Sequence, residues 1–365
     1  MNGVIEEHVR QTYFPKGGKF ARLEHYLPII YRLHEWFLGR RQSRRDRSVP
    51  KGYLRLPEFR VAYLLYFAQL NALRFRGMCR QMLQRPGAKN LLNDILGRER
   101  LRILDLGCGP GSAAWGWLYF LAEAFPDRLK ELRLEINLAD QSGPILNDAH
   151  TLLQPFGTEV AELKAIRRRF DFAREQPRGR FDLIFLSYTL NEFSSESVRQ
   201  QLISQLIAKN LDRGLLLILE PAQSTLGKRL TSLRDRLLED DLPLKVVSPC
   251  LHQGGCPLSS GRLKDFCHFS TSYQSNLGDN FVRIRQYLRS REAAEIRAEG
   301  EKYLNYCSLI LTNHEFNLPK PSPSQRLVIS GPLSQTKEGT QHRLCYPGEG
   351  RFIVSKEELK RGDLV

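Results

Sequence analysis

Three cysteines lie close together in the last third of the chain. Cys250, Cys256 and Cys267 fall within eighteen positions, in a stretch rich in Gly, Pro and Ser. Thiolates in a turn-rich segment are the ligands that zinc and iron–sulfur clusters use. The Cys-x5-Cys and Cys-x10-Cys spacings are not those of zinc ribbons or radical S-adenosylmethionine enzymes. We therefore expect a metal centre that takes a fourth ligand from elsewhere in the chain.

Two further cysteines are candidates for the fourth ligand. Cys307 lies in an apolar segment, where a free thiol packs as a small hydrophobic group. Cys345 lies where a predicted strand meets a turn, which is better placed to approach a loop cluster. If the metal is zinc, His252 and His268 are alternatives.

A glycine-rich turn precedes this cluster in the sequence. Asp105-Leu-Gly107-Cys-Gly109-Pro-Gly111 follows a short apolar strand and opens a helix. Glycines allow a tight turn and let the backbone approach a ligand. The spacing differs from the dinucleotide Gly-x-Gly-x-x-Gly pattern. An Asp at the end of the strand suits the ammonium group of S-adenosylmethionine, so the turn predicts a site for that cofactor.

Two more acidic residues follow the next predicted strands. Asp140 ends the second strand and is expected to bind the ribose hydroxyls. Asp171-Phe172 follows the third and is expected to meet the adenine, although the run Arg167-Arg168-Arg169 also offers Asp171 surface partners.

The catalytic residues are not identified by any motif. Methyl transfer depends mostly on proximity and alignment, so it leaves few signature residues. Asn191 and Glu192, after the fourth strand, are candidates for substrate contact or for a helix-capping turn. Pro249-Cys250 resembles a cytosine methyltransferase nucleophile, but it lies too far downstream of that strand.

The elements that position these residues alternate between strands and helices. Continuous apolar strands are predicted at residues 101–106, 132–138, 160–166, 181–187 and 215–220, separated by helices. This pattern is typical of a parallel sheet covered on both faces. We predict an α/β fold: an S-adenosylmethionine-dependent methyltransferase (Rossmann-like) sheet with an N-terminal helical domain and a metal-stapled C-terminal lobe.

The chain is predicted to contain three parts. Residues 1–98 form a helical domain, residues 99–245 the cofactor-binding domain, and residues 246–365 the cysteine cluster with a β-rich extension. The first hundred residues hold 20 Lys and Arg against 8 Asp and Glu, most densely at Arg40–Arg47. Such a concentrated positive charge favours a polyanion, because each neutralised phosphate releases a counterion. Nucleic acid is the expected partner of residues 1–98.

Composition excludes several other classes of protein. An apolar fraction of 41% supports a folded core, and no apolar run is long enough to suggest a membrane span. The N-terminus has neither a secretory nor a transit-peptide pattern, so we expect a cytoplasmic protein with reduced thiols. Nothing in the sequence indicates a homo-oligomer.

From about residue 50 onward the chain resembles the methyltransferase-like proteins of the mitochondrial small ribosomal subunit and their bacterial relatives. The residues that carry this resemblance are the glycine turn, Glu220-Pro221, Pro249-Cys250-x-His252-x3-Cys256-Pro257, Cys267-His268-Phe269-Ser270 and Leu344-Cys345-x-Pro347. The resemblance implies a [4Fe-4S] cluster held by Cys250, Cys256, Cys267 and Cys345. Departures are Ala222-Gln223, where relatives commonly have Gly, and Leu251, where Pro is usual.

The resemblance also implies action on small-subunit ribosomal RNA during assembly or translation. We expect an S-adenosylmethionine-binding, iron–sulfur-containing RNA methyltransferase or methyltransferase-like factor. The alternative is a catalytically inactive RNA-binding assembly factor held together by zinc or by the cluster.

Overall fold

The computed structural model describes residues 2–16, 22–38, 49–50, 52–171, 175–193, 195–240, 242–258, 266–273, 278–291, 303–316, 319, 327–329, 334–345, 351–356 and 359. The arginine run at residues 40–47 lies outside this set. The helices are α1 (Asn2–Tyr13), α2 (Leu27–Phe37), α3 (Pro57–Ala62), α4 (Gln69–Met82), α5 (Ala88–Leu96), α6 (Ser112–Ala124), α7 (Pro126–Glu131), α8 (Gly143–Leu153), α9 (Glu196–Gln205), α10 (Ser224–Glu239) and α11 (Asp279–Arg291). The strands are β1 (Leu101–Leu106), β2 (Arg133–Asp140), β3 (Glu162–Arg169), β4 (Phe181–Ser187), β5 (Leu211–Pro221), β6 (Lys245–Ser248), β7 (Phe269–Ser272), β8 (Tyr303–Thr312), β9 (Leu327–Val328), β10 (Ser334–Gln335), β11 (Thr340–Cys345) and β12 (Arg351–Ser355).

The main sheet has the strand order β3-β2-β1-β4-β5-β8-β6, and β7 also pairs with β8. Strands β1 to β5 run parallel, whereas β8 is antiparallel to β5, and both β6 and β7 are antiparallel to β8. The chain order reverses between β1 and β4, which places the carboxyl ends of β1, β2 and β4 at one edge of the sheet. In doubly wound folds, ligands bind at such a point.

Both faces of the central strands are apolar because layers of helices cover both. Along β4, Leu183 and Phe185 belong to one buried cluster, while the alternate residues Ile184 and Leu186 belong to the other. Successive side chains of a strand point to opposite faces. A continuous apolar run is therefore what a strand with two buried faces requires, as the sequence pattern predicted.

The N-terminal helices pack directly on the main sheet's helical layer. One buried cluster includes Ile5 of α1, Phe75 of α4 and Trp117 of α6. The ring of Phe75 lies 4.9 Å from that of Phe185 in β4. Residues on either side of the predicted boundary at residue 98 thus share one core.

A second, antiparallel sheet contains β9 to β12, in the order β10-β11-β12 with β9 paired to β11. The sequence predicted a β-rich extension after the cysteine cluster, and β8 to β12 lie there. It did not predict β6 and β7, which flank the cysteine-rich loop. These strands have only four residues each, too few to show an alternating pattern.

Helices α4 and α6 approach each other closely at Gly116. A Cβ atom built there would lie 2.4 Å from the carbonyl oxygen of Ala72 and 2.8 Å from Cβ of Phe75. The first of these contacts is with backbone, which cannot rotate away. Gly116 is therefore needed for the N-terminal helices to pack against this layer.

We predict that Gly116→Ala lowers the free energy of unfolding by about 1–3 kcal/mol, the usual cost of overpacking. Urea unfolding followed by circular dichroism measures this change. Gly157→Ala is the control, because a Cβ there meets nothing within 4 Å, and its effect should stay within about 0.5 kcal/mol. Equal stabilities of the two variants would contradict the close approach.

Candidate cofactor edge and cysteine cavity

The glycine turn joins β1 to α6 with three residues in the left-handed region, Gly107, Gly109 and Gly111, at φ +74°, +53° and +80°. Their surroundings differ. A Cβ on Gly107 would lie 2.6 Å from Oγ1 of Thr189, whereas a Cβ on Gly109 would meet nothing within 4 Å. Gly107 therefore allows close packing, and Gly109 exposes its backbone to the open side of the edge.

Asp105 lies below this turn and is fully buried. Its Oδ2 accepts a hydrogen bond from the backbone N–H of Ala114 at 3.3 Å, while Oδ1 has no partner among the described residues. Burial raises the pKa of Asp105 to about 7. A buried carboxylate oxygen without a donor is costly, and a ligand ammonium group is a suitable donor.

Asp140, at the end of β2, joins the glycine turn to the start of α8. Its Oδ2 accepts the N–H of Gly109 at 3.1 Å, and its Oδ1 accepts the N–H of Ser142 at 2.9 Å. Burial raises the pKa of Asp140, and these backbone donors oppose the shift. The predicted residues Asp105, Gly109 and Asp140 thus meet at one place.

Asp171 lies at the same edge, two residues beyond Arg169, which pairs with Asp140. Its backbone N–H donates to Oε1 of Glu175 at 3.2 Å. Phe172, predicted beside the adenine, lies outside the described residues. The structure therefore places Asp171 just beyond the strand that pairs with β2 at Asp140.

Two carboxylates that were not predicted as cofactor ligands also lie at this edge. Glu220, near the end of β5, accepts the N–H of Leu190 at 2.8 Å through Oε1, and its buried Oε2 has no partner among the described residues. Burial raises its pKa to about 8. Glu192 reaches solvent, yet the surrounding protein and Asp140 raise its pKa to about 7. An acid that ends an apolar strand is the signal that could have identified Glu220.

The backbone at the end of β4 is strained. Tyr188 has φ +59°, a conformation that bulky residues rarely adopt. Its N–H donates to the carbonyl of Leu219 at 2.8 Å, which holds it in place. Strain of this kind concentrates at functional sites.

N-terminal residues cover the same edge, which the sequence did not reveal. Burial, together with the nearby charges of Tyr63, Glu192 and Asp140, raises the pKa of Tyr53 well above its usual value. The amide of Gln223, after β5, donates to the carbonyl of Phe37 at 2.6 Å. The ring of Trp36, 46% exposed, packs 5.5 Å from that of Tyr53. The end of α2 thus forms the rim of the cleft.

The four cysteines of the predicted metal centre line one cavity. Cys250, Cys256, Cys267 and Cys345 surround about 450 Å³ of space between atoms, part of which opens to solvent. Cys345 reaches it from β11 of the second sheet. Cys307 is fully buried in β8 and does not line the cavity; its Sγ would lie 3.1 Å from a Cβ on Gly227.

Thiols and buried arginines interact around this cavity. A hydrogen bond with Cys345, helped by Arg234, lowers the pKa of Cys250 to about 6. Arg234 is 1% exposed and donates to the carbonyl of His252 at 3.0 Å and to Asp235. Arg85, also buried, donates to the carbonyl of Cys250. The Nε atoms of both arginines have no partner among the described residues.

His252 faces the same thiols. Its Nδ1 lies 3.0 Å from the carbonyl oxygen of Gly254, and its Nε2 lies 3.3 Å from Sγ of Cys345. Because a carbonyl only accepts, Nδ1 carries the proton and Nε2 is an acceptor. His268 instead faces the carbonyl of Phe266 with Nδ1, at 3.1 Å.

The donor set suits a metal, but the thiols are not arranged as metal ligands. Within the described part of the chain, no three His, Cys, Asp or Glu side chains are grouped as a metal ion would require. Four cysteines in one cavity with two buried cations do fit a tetrathiolate centre, which carries net negative charge.

No helix in the described part of the chain is both long and apolar enough to cross a membrane.

These features define a Rossmann-like α/β protein with a glycine turn at the carboxyl edge of its parallel strands. The family model described as mitochondrial small ribosomal subunit Rsm22 matches residues 98–349, more than half of the chain. The chain belongs to this family. A comparison with curated proteins found no match.

Several solved structures are similar at low identity. The plantazolicin methyltransferase BpumL, in complex with a monoazolic desmethylPZN analog and SAH, has 12% identity and a TM-score of 0.37, covering 80% of this chain and 98% of that chain. The putative RNA methyltransferase PH1948 from Pyrococcus horikoshii has 9% identity and a TM-score of 0.32, covering 62% and 83%. YcgJ from Bacillus has 15% identity and a TM-score of 0.30, covering 62% and 100%.

The raised pKa of Asp105 predicts a pH-dependent cost of burial. Because its pKa rises from 3.8 to about 7 on folding, the folded protein keeps a proton that the unfolded chain releases. Stability therefore falls as the pH rises through this range. Asn cannot ionise, so Asp105→Asn should raise the free energy of unfolding by about 3–4 kcal/mol at about pH 8 and by less than about 2 kcal/mol at about pH 5, where only the unfolded chain has ionised.

Chemical denaturation at the two pH values measures this difference. Asp182→Asn is the matched control, since that buried carboxylate is bonded to Arg98 and to the N–H of Arg102. Its loss should destabilise the protein at both pH values. An Asp105→Asn variant that is no more stable than wild type at the higher pH would show that the carboxylate is already compensated.

Proposed function

We propose that this protein binds S-adenosylmethionine at the carboxyl edge of the main sheet and acts on small-subunit ribosomal RNA as a methyltransferase or methyltransferase-like factor in the cytoplasm. The observation that carries the proposal is the meeting of a buried Asp105 oxygen without a donor, the open backbone of Gly109 and the carboxylate of Asp140. Membership of a small-subunit ribosomal family supports the choice of RNA.

Each group has a role in this proposal. Asp105 would accept the cofactor's ammonium group, the turn at Gly107, Gly109 and Gly111 would admit its methionine portion, and Asp140 would accept ribose hydroxyls. When bound, the cofactor supplies an electrophilic methyl group. Glu192, with its pKa near 7, is placed to take a proton from the group that accepts the methyl at the same edge. Asp171 remains the proposed partner of the adenine.

A binding factor without turnover is the second candidate. Tyr53 and Trp36 lie over the edge and would restrict the entry of an RNA base. Restricted entry favours a cofactor that stabilises the fold and is not turned over. Transfer of a labelled methyl group separates the two candidates, because only the enzyme labels RNA.

We predict that Asp105→Asn weakens S-adenosylmethionine binding about 10- to 100-fold, because the charged acceptor of the ammonium is lost. Calorimetric titration measures the affinity, and tritiated methyl transfer to immature small-subunit RNA measures turnover. The same substitution is expected to stabilise the protein at high pH, so weaker binding could not be attributed to unfolding. Unchanged affinity would remove Asp105 from the site, and cofactor binding without labelled RNA would favour the binding factor.

We further propose that Cys250, Cys256, Cys267 and Cys345 hold a [4Fe-4S] cluster, with zinc as the alternative. Their shared cavity supports this set over one that contains Cys307. Such a centre would close the chain between residues 250 and 345 and so join the second sheet to the main one. Arg85 and Arg234 would balance part of its negative charge.

Anaerobic purification with measured iron and zinc contents tests this proposal. We predict broad visible absorption that Cys345→Ser abolishes and Cys307→Ser preserves. Arg234→Gln should lower the metal content, since it leaves the thiolates less compensated, whereas the partly exposed Arg236→Gln on the same helix should not. A colourless protein with one zinc would overturn the iron–sulfur assignment, and loss of metal in Cys307→Ser alone would overturn the ligand set.

A further inference from the structure

Three consecutive arginines lie on the edge strand beside the proposed cofactor edge. Arg167, Arg168 and Arg169 end β3, which is the outermost strand on that side of the main sheet, and all three are exposed. Arg169 pairs with Asp140, and the N–H of Phe170 donates to the carbonyl of Asp140 at 3.0 Å. The arginines thus lie next to the strand whose carboxylate borders the glycine turn.

The side-chain partners of Arg167 and Arg168 are neutral. Arg167 donates to Oδ1 of Asn147 at 2.6 Å, and Arg168 donates to Oδ1 of Asn137 at 2.8 Å. Within the described part of the chain, none of the three forms an ion pair with a carboxylate, although Asp171 and Glu175 follow in sequence. The two amides hold their guanidinium groups in place without neutralising them.

Arginines at the opposite, amino-terminal end of the same sheet differ in this respect. Five arginines there face a carboxylate, in the pairs Arg98–Asp182, Arg100–Glu162, Arg102–Glu135, Arg133–Glu99 and Arg180–Asp212. The β3 arginines at the carboxyl end therefore lack the carboxylate partners that these arginines at the amino-terminal end have. The unpaired β3 arginines lie at the end of the sheet that carries the proposed cofactor site.

We propose that Arg167, Arg168 and Arg169 form a phosphate-docking ridge that holds the backbone of a single-stranded RNA segment beside the cleft. At about 3.3 Å per strand residue the run is about 7 Å long, enough to meet two successive phosphates. Alternation of side chains puts Arg168 on the other face of the sheet from Arg167 and Arg169, so the ridge surrounds the strand edge. The inference rests on the proposed function, since it assumes that RNA is the substrate or partner.

Charged residues on an edge strand also prevent pairing with another sheet. This role alone would not require that the arginines be held by amides or that they lie at the cofactor end. Protection of the edge and RNA docking make different predictions when the charges are removed, since only the first predicts self-association with unchanged RNA affinity.

The test compares two variants that lose the same charge. In one, Arg167, Arg168 and Arg169 become Gln; in the other, Arg100, Arg133 and Arg180 become Gln. Fluorescence anisotropy with a labelled single-stranded fragment of small-subunit RNA gives the affinity at several salt concentrations. We expect the ridge variant to bind about 10- to 100-fold more weakly at low salt, with the slope of log K against log salt reduced by about 1.4, and the control to change less than about threefold.

Several outcomes would overturn the inference. These are equal losses in both variants, no loss in the ridge variant, self-association of the ridge variant with unchanged affinity, or equally tight binding of polyglutamate, which would indicate an acidic protein partner. If the triple variant does not fold, as judged by circular dichroism, Arg169→Gln alone should still weaken binding about threefold. Wild-type protein that binds no RNA contradicts the proposed function itself, whereas RNA binding that ignores the ridge contradicts only this inference.

Discussion

Parallel pairing of β1 with β2 on one side and β4 on the other determines where every functional group of the carboxyl edge lies. The registers Asp105 with Leu138 and Leu106 with Ala139 put the glycine turn beside Asp140. The carbonyl oxygen of Ala139 accepts hydrogen bonds from the N–H groups of Gly107 and Cys108, at 2.8 and 3.0 Å, which joins the turn to β2. A register shift of one residue would turn Asp105 to the opposite face of the sheet and separate it from the helix α6 donor.

The antiparallel strand β8 connects this edge to the cysteine cavity. Glu220 at the end of β5 pairs with Cys307 of β8, and the next residue, Ser308, lines the cavity. Strands β6 and β7, which flank the cysteine-rich loop, both pair with β8. Leu230 of α10 borders both the cysteine cavity and a smaller cavity beside Glu220. The carboxyl edge and the cysteine cavity therefore share β8 and α10, so a substitution that moves either element affects both sites.

The sequence predicted the parts whose signal is local. Continuous apolar runs gave β1 and β4 with the bounds that the structure shows, and an acid after an apolar strand located Asp105 and Asp140. What depends on tertiary contact was not predictable: the N-terminal cover over the edge, the neutral partners of the β3 arginines, and strands as short as β6. Cys345 was favoured by its turn position and by resemblance, because no spacing rule reaches across about a hundred residues.

The two proposed sites differ in the buried groups that their occupants would meet. At the carboxyl edge, one oxygen of Asp105 and one of Glu220 have no partner among the described residues, although Nε of Arg199, beside Glu220, also has none. At the cysteine cavity, such groups include the Nε atoms of Arg85 and Arg234, and Arg234 also forms an ion pair with Asp235. A buried polar atom without a partner is costly. A cationic ligand would supply a donor to Asp105, and an anionic metal–thiolate centre would lie beside the two guanidinium groups, so the occupants proposed from residue types also suit these buried groups.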